Sequence, residues 1–506
     1  MPLYRNSENT VEFKYARFLQ PKTEEELIHL LQESRAEGRK VKASGGHNTF
    51  NHIKKTADTM VDLSRLPEFS QLISVDTGNK TAVIGGGMIV ADAIDALNKH
   101  GLHFPVLGGW FTQTIGGAMA TSTHGSSFAH GSLSDLVLEI EAILSDGSRV
   151  RMTEQDEAMK AWRVSLGQLG IITRVKVKLT DAFYLRCGYE DVEDDRVGFD
   201  SLFRRIERWD SPGESPYVSL LWLPYSGEQG RTLTRTLHRT SAGRPNQEAI
   251  DYEERWARRD GSLAKNVAED RGSVLLAKSF IRTPHLYKSL WSNAMANAYL
   301  DDKDSIDRSF RPFSYEQFRE VTENHWLRLV LSTEIAIDAS QLESVISDLR
   351  KLLRENLDRR IVANFPRFHI RFANESHGSW LGMNAGRRTA YFNMYFSAAV
   401  LRSRQIPLAI AMEKILDAHG GRPHWGKFRH LGQDEKFIAT YGDSFSRFES
   451  YRAAVDPTGM FSDGWRMFKD LEMFDEDDLF VAPFSGMNPD NYQKMRFLGG
   501  RSSDIE

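Results

Sequence analysis

Cysteine is nearly absent: Cys187 is the only one in 506 residues. That excludes an intrachain disulfide and a cysteine-ligated metal centre, and it leads one to expect a reducing, cytoplasmic setting. Long apolar runs are missing as well. No stretch reaches the roughly 18 residues that a membrane-spanning helix requires. The opening residues, MPLYRNSENT, lack the apolar segment of a secretory leader. Charge of one sign is scarce: 65 Lys and Arg stand against 69 Asp and Glu, a net charge of −4. The two signs are interspersed, so there is no electrostatic footing for nucleic acid as a partner. No G-x-G-x-x-G opens a helix, which leaves a Rossmann site unsupported, and no G-x-S-x-G marks a nucleophile elbow. His47 and His52 have neither metal-ligand spacing nor a completing carboxylate, so no metal is expected.

What is present is an ordinary globular composition, 41% hydrophobic and 26% charged, on a chain long enough for two to four cores, by the usual scale of roughly 100–200 residues per domain. The first third alternates short helices and strands, an α+β pattern. TEEELIHLLQESRAEG reads as a Thr-capped helix stopped by Gly38, IVADAIDALNKHG as a second helix, and LVLEIEAILSDGSRVRMT as a hairpin turning at Asp-Gly. Beyond residue 184 the strands lengthen (YVSLLWLPY, LRLVLSTEIAI, TAYFNMYFS), and QLESVISDLRKLLRENL is a strongly amphipathic helix. Residues 226–275 are polar and are expected to be loops and a surface excursion. The last 30 or so are acidic, then loose.

Three glycine-, serine- and threonine-rich turns carry the chemistry. They are Ala43-Ser44-Gly45-Gly46-His47-Asn48-Thr49, the stretch QTIGGAMATSTHGSS from Gln113 to Ser127, and HGSLSD from His130 to Asp135. Backbone N–H groups in such turns bind anionic oxygens, glycine allows close approach, and hydroxyls add donors. Three together suit a diphosphate, and none of them contains a lysine. A different stretch, GRPHWGK from Gly421 to Lys427, matches the P-loop spacing. It has Pro423 inside it and Phe428 where Ser or Thr should hold Mg²⁺, so a nucleotide-triphosphate cradle there rests on spacing alone.

VKASGGHNTFNHI, TIGGAMATSTHGS, VSLGQLGIITRVKVKL, RPHWGK and FESYRAAVDPTGMF resemble segments of the vanillyl-alcohol-oxidase-type flavoproteins, most closely the aldonolactone and alditol oxidase branch. The resemblance spans roughly residues 15–180 and 365–465. It implies a PCMH-type FAD-binding domain of two α+β subdomains (1–182), an inserted substrate or cap domain with a large antiparallel sheet flanked by helices (183–424), and a C-terminal segment (425–506) that completes the site. It implies FAD held by Ser44, Gly45, Gly46, His47, Asn48, Thr49, Gly116, Gly117, Thr121, Thr123, His124, Gly125, Ser132, Gly170 and Ile172. His124 is taken as a loop residue beside the diphosphate. His47 occupies the position of a histidine that many members attach covalently to the flavin 8α-methyl; read from the residues alone, it either does this or hydrogen-bonds its own loop.

On the substrate side the resemblance implies a Glu-x-Arg pair, a residue on the next strand, and the Lys of HWGK. Here the stretch reads FHIRFANESHG, so Arg371 stands in place and His369 replaces the carboxylate. Alternation puts 369 and 371 on one strand face, and Asn393 and Tyr395 on one face of the next strand. His369, Arg371 and Lys427 are the expected catalytic residues, and Asn393, Tyr395 and His424 the expected substrate contacts. His369 could serve as acceptor or as general base. The implied reaction oxidises an alcohol of a small molecule, a sugar lactone, a polyol or a bulkier alcohol. Reoxidation is by O2 or, in a dehydrogenase of the same fold, by another acceptor.

Overall fold

The computed structural model describes residues 2–6, 11–211, 217–240, 306–307, 331–358, 367–396, 405–432 and 435–465. The acidic tail and residues 241–275 of the polar excursion lie outside these.

The capped helix forms as its sequence dictates. Thr23 accepts from Glu26 N–H, Glu24–Ala36 is helical, and Gly38 ends it with φ +67°. The helix buries Leu27 and Leu31 against a parallel sheet of Arg17–Leu19, Thr59–Asp62 and Val41–Ser44. A second sheet of five antiparallel strands follows. The Val137–Ile143 and Arg149–Thr153 hairpin turns at Gly147 (φ +84°), and Ile171–Lys178, Thr81–Gly85 and Leu72–Asp76 complete it. The helix Val90–Asn98 packs Ile94 and Leu97 into the core that this sheet shares with Trp162 and Val175.

Residues far along the chain return to this body. Phe437, Tyr441, Phe445 and Phe448 join the same core. The Val41 N–H donates to Met460 O at 3.0 Å, and the buried Lys42 ammonium to Phe461 O at 2.9 Å. The N-terminal sheet is therefore finished by residues from the other end of the chain.

Among the described residues the third sheet has eight strands, antiparallel throughout, in the order Ile306–Asp307, Tyr184–Val192, Arg231–Thr240, Tyr217–Leu223, Phe368–Ala373, Thr389–Phe396, Leu331–Asp338, Arg422–Pro423. The strand Arg231–Thr240 corrects the expectation of loop from residue 226. RTLTRTLHRT alternates, with polar residues at nearly every position, and its β-branched threonines fit a pleated surface that only the neighbouring strands reveal. One face carries Leu220, Trp222, Ile335, Ile337, Phe368, Ile370, Phe372, Phe392 and Met394. It packs on the helices Asp195–Glu207, Leu342–Asp358 and Gln405–Ala418. Burial of such side chains is worth about 1.5–3 kcal/mol each. The other face is polar in its central strands and turns toward the glycine loops. His124 of the second loop stacks on Tyr391 of this face, and the strand and loop are joined where Phe372 N–H donates to Ser126 Oγ (3.0 Å) and Ser127 N–H to Phe372 O (2.8 Å). No helix among the described residues is long and apolar enough to cross a membrane.

Candidate active site

The glycine loops come together as a packed nest. A Cβ on Gly46 would stand 2.0 Å from Thr112 O, one on Gly116 3.0 Å from Gly86 O, and one on Gly86 2.4 Å from Ile172 O. The first loop thus meets Thr112, just before the second loop, while the second loop meets the Gly85–Gly87 turn and that turn meets Ile172, each at backbone contact that only glycine permits. Gly170, at φ +158°, would meet Ile143 O at 2.8 Å. Asn48 Oδ1 accepts from Thr112 Oγ1 at 3.0 Å, and Thr114 Oγ1 accepts from Gly117 N–H at 3.2 Å. Within this nest His47 Nδ1, Asn48 Nδ2, Thr49 Oγ1 and Ser122 Oγ are buried without hydrogen-bond partners. Buried polar groups rarely stay unpaired, so the loops have the donor set and close approach that an anionic, oxygen-rich cofactor requires. FAD fits the residues present.

Not every expected cofactor residue keeps its side chain open. Thr121 Oγ1 donates to Gly117 O (2.9 Å), Thr123 Oγ1 accepts from Gln113 Nε2 (3.1 Å), and Ser132 Oγ donates to Asp135 Oδ2 (2.9 Å). These three hydroxyls shape the loops. Ser132 does so through a capping box and a bridge to His124. His47 adopts φ +58°, stacks on Tyr4 at 5.2 Å between centroids, and lies 3.4 Å from Ser44 Oγ. Burial, and then the Lys54 charge, holds its imidazole well below the usual histidine range, so it is neutral.

His124 departs from its expected place beside a diphosphate. Its ring stacks on Tyr391 at 3.4 Å, its Nδ1 lies 2.9 Å from Gly125 O, and its Nε2 lies 3.0 Å from Glu334 Oε1. The His124–Ser132 bridge, with Leu133 N–H donating to Thr123 O at 2.8 Å, holds the backbone from which this side chain reaches the sheet. Gly125 is the hinge for this: a Cβ there would meet Leu107 O at 2.4 Å.

Glu334 is the residue that sequence reasoning missed. Strand register puts His369, Asn393 and Glu334 in one lateral row, with Arg371 and Tyr391 in the next. The Glu334 carboxylate is wholly buried. Its Oε1 accepts from Arg371 Nη2 at 2.6 Å, and its Oε2 from Asn393 Nδ2 at 3.1 Å. Burial opposes its charge, but Arg371 and then His124 outweigh that and hold the carboxyl well below the usual range. The substitution of His369 for the expected acid thus leaves a carboxylate in the site, supplied from the second strand over. The available signal was a lone acid within LSTEIAI, where every neighbour suits burial.

The HWGK segment docks between these two halves. Phe50 N–H donates to Gly426 O (2.8 Å), while Asn51 Nδ2 donates to Trp425 O (2.7 Å) and Lys427 O (2.9 Å). His424 is buried. Its N–H donates to Glu334 O at 2.8 Å, and its Nδ1 accepts from Gly426 N–H at 3.0 Å. The half-buried Lys427 places its ammonium 5.0 Å over the Phe50 ring. Gly421 to Lys427 is thus a strand end and a turn beside the glycine loops; Gly421 itself is pressed against Leu416 O.

His124, Glu334 and His424 are close enough to suggest a cation site. The chemistry opposes it. Nδ1 of His424 is already an acceptor, so the proton sits on Nε2, and a guanidinium occupies Glu334. Burial lowers both imidazoles, so they are neutral partners of one charged pair. His369 and Tyr395 are half-buried on the same face, with Tyr395 under the Arg367 guanidinium at 4.3 Å. His369 is pushed well below the usual histidine range, by burial first and then by Arg371 and Arg367.

Comparison with known proteins agrees with this architecture. Residues 15–153 match the FAD binding domain family, and residues 175–468 match the D-arabinono-1,4-lactone oxidase family. The chain is 25% identical over 454 residues to L-gulonolactone oxidase of Bos taurus, covering 88% of this chain and 92% of that one. It is 26% identical over 444 residues to an L-gulono-1,4-lactone dehydrogenase of Mycobacterium tuberculosis, covering 88% and 93%. A crystal structure of cholesterol oxidase from B. sterolicum shares the fold with a TM-score of 0.70 at 16% identity, over 94% of this chain and 96% of that one. The chain belongs to the D-arabinono-1,4-lactone oxidase family and is a FAD-dependent oxidoreductase acting on alcohol groups.

Proposed function

We propose that the enzyme oxidises a secondary or primary alcohol of a sugar lactone or polyol, with O2 as the final acceptor. The observation that carries this is the polar row His369–Asn393–Glu334, with Arg371 beside it, on the sheet face turned to the glycine loops. Residues 1–182 and 425–506 hold the cofactor, and 183–424 present the substrate. FAD, when bound, supplies the hydride acceptor. Asn393 and Tyr395 orient hydroxyls. His369, neutral at physiological pH, takes the hydroxyl proton at a ring nitrogen. Arg371 and Lys427 stabilise the oxygen as it gains negative charge. Glu334 fixes Arg371, and His124 and His424 wall the pair from water. The relatives include both an oxidase and a dehydrogenase, so the acceptor is the finer part of the proposal.

Anaerobic mixing with a panel of lactones and polyols tests it. Flavin absorbance bleaches with a substrate, and air restores it within seconds. Restoration no faster in air than under argon makes the protein a dehydrogenase. Because the His369 pKa is depressed, its neutral form persists as pH falls through 6.5. Bleaching should therefore hold its rate well below that pH and lose this acid limb in His369→Ala. An acid limb at or above 6.5 removes His369 as the base.

We also propose that His47 carries the flavin covalently, on its neutral, unpartnered Nδ1. Acid precipitation should leave yellow pellet in the parent protein and yellow supernatant in His47→Ala. A pellet still yellow in the variant places the bond elsewhere.

A further inference from the structure

The glycine loops contain no lysine in sequence, yet a lysine reaches them in space. Lys54 lies on the short turn His52–Lys54, capped by Asn51. Its side chain folds back under the first loop. The ammonium donates to Ser44 Oγ at 3.2 Å and Gly45 O at 3.3 Å, and stands 5.1 Å over the Tyr4 ring. The residue is 9% exposed. The oxygens it touches are a hydroxyl and a carbonyl; among the described residues no carboxylate is within ion-pair distance of it. The acid whose field reaches it, Asp62, has its oxygens on Gln20 and Ser64.

A buried ammonium held by neutral oxygens alone is costly. Lys42 shows the alternative on the same sheet. It too is buried, but it bridges Gly167 O and Phe461 O and lies in the field of Asp463 and Asp456, so it ties the chain ends together. Lys54 joins no far segment in this way; among the described residues, besides the Tyr4 ring it touches only the first loop. On that same loop the Asn48 Nδ2 donor is buried without a partner. A buried cation together with an unpaired donor on one glycine turn is the arrangement left when an anion belongs there.

We propose that Lys54 is the counter-charge for the cofactor's diphosphate at the Ser44–Thr49 loop. This rests on the loop being the diphosphate site. Lys54 supplies the full positive charge that backbone N–H groups lack. Through Ser44 Oγ, 3.2 Å from its ammonium and 3.4 Å from His47, it also sets the loop's geometry around that histidine. Burial lowers its own proton affinity to about 7, so the cation is stabilised by the anion it meets.

The test uses full-length His47→Ala protein, from which flavin is dialysed, and measures affinities for FAD, ADP and riboflavin. Adding Lys54→Met should weaken FAD and ADP by about 10–100-fold, the worth of one charge-assisted hydrogen bond, and leave riboflavin unchanged. Lys54→Arg should keep most of the affinity. Melting of the dialysed Lys54→Met protein should be no lower than its parent, because a buried amine has been removed. Equal loss for all three ligands with a lower melting temperature makes Lys54 structural and overturns the proposal. Undiminished ADP affinity overturns it too. Gly46→Ala separates the premise: if it spares FAD and ADP, the diphosphate lies elsewhere; if it weakens them while Lys54→Met does not, the loop stands and Lys54 falls.

Discussion

Replacing Arg371 with Met lowers kcat about 10²–10³-fold, the usual cost of removing one donor aimed at a developing oxyanion, with a smaller change in KM. Arg371 divides its donors. Nη2 is committed to Glu334 at 2.6 Å, whereas Nε is buried without a partner. Its charge is already balanced by Glu334, so its contribution is a fixed donor more than a long-range field. Most of that contribution is made as the alcohol oxygen gains charge, which is why the rate falls further than binding. Lys is a poor substitute, because one ammonium cannot hold the carboxylate and also present a second donor in the same plane. Anaerobic stopped-flow reduction reads the chemical step directly. A variant within threefold of the parent at saturating substrate removes Arg371 from the transition state.

Glu334→Ala should be the more damaging change for the protein as a whole. It leaves the Arg371 guanidinium buried against Asn393, His124 and Tyr391 with no anion, and breaking such a pair costs about 3–5 kcal/mol. A shift of the denaturation midpoint, followed by intrinsic fluorescence, measures this. The reductive rate should fall in parallel, because Arg371 and Asn393 lose the group that aims them. The double variant Glu334→Gln with Arg371→Met separates the two effects. It leaves no charge at this buried pair, so much of the stability returns while the rate does not. Full recovery of the rate in the double variant would show that neither residue reaches the substrate.

Much of the fold was legible because it is written in local chemistry. Thr23 and Gly38 bracket a helix, Asp146-Gly147 makes a hairpin, and the heptad-like spacing of LESVISDLRKLL marks a helix with one apolar side. The paired alternation of Phe368 to Ala373 and of Tyr391 to Tyr395 gave the correct shared face. What was not legible depended on long-range register. Glu334 looks like any strand acid until its pairing with Asn393 is known. His124 reads as a loop residue until Tyr391, 267 positions on, receives its ring. Lys54 follows the glycine loop by several residues and returns to it through a turn that no motif encodes. In Arg231–Thr240 polar residues obscured a strand: Thr232, Thr234 and Thr236 are buried beside Trp222, Leu220 and Val218 on the sheet's apolar face, a placement set by register and not by local pattern.

The return of the chain's far end to its beginning sets an order of assembly. Val41 and Lys42 take their last partners from Met460 and Phe461, and the Asn51 amide takes both of its carbonyls from Trp425 and Lys427. On the ribosome, then, the first sheet and its glycine loop wait, incomplete, until residues 425–461 have been made. Such distant closures are slow and leave strand edges open meanwhile. The cofactor pocket is a late product of synthesis, and a chain cut short before residue 460 would carry every glycine of the loops yet lack the clasp that holds them in place.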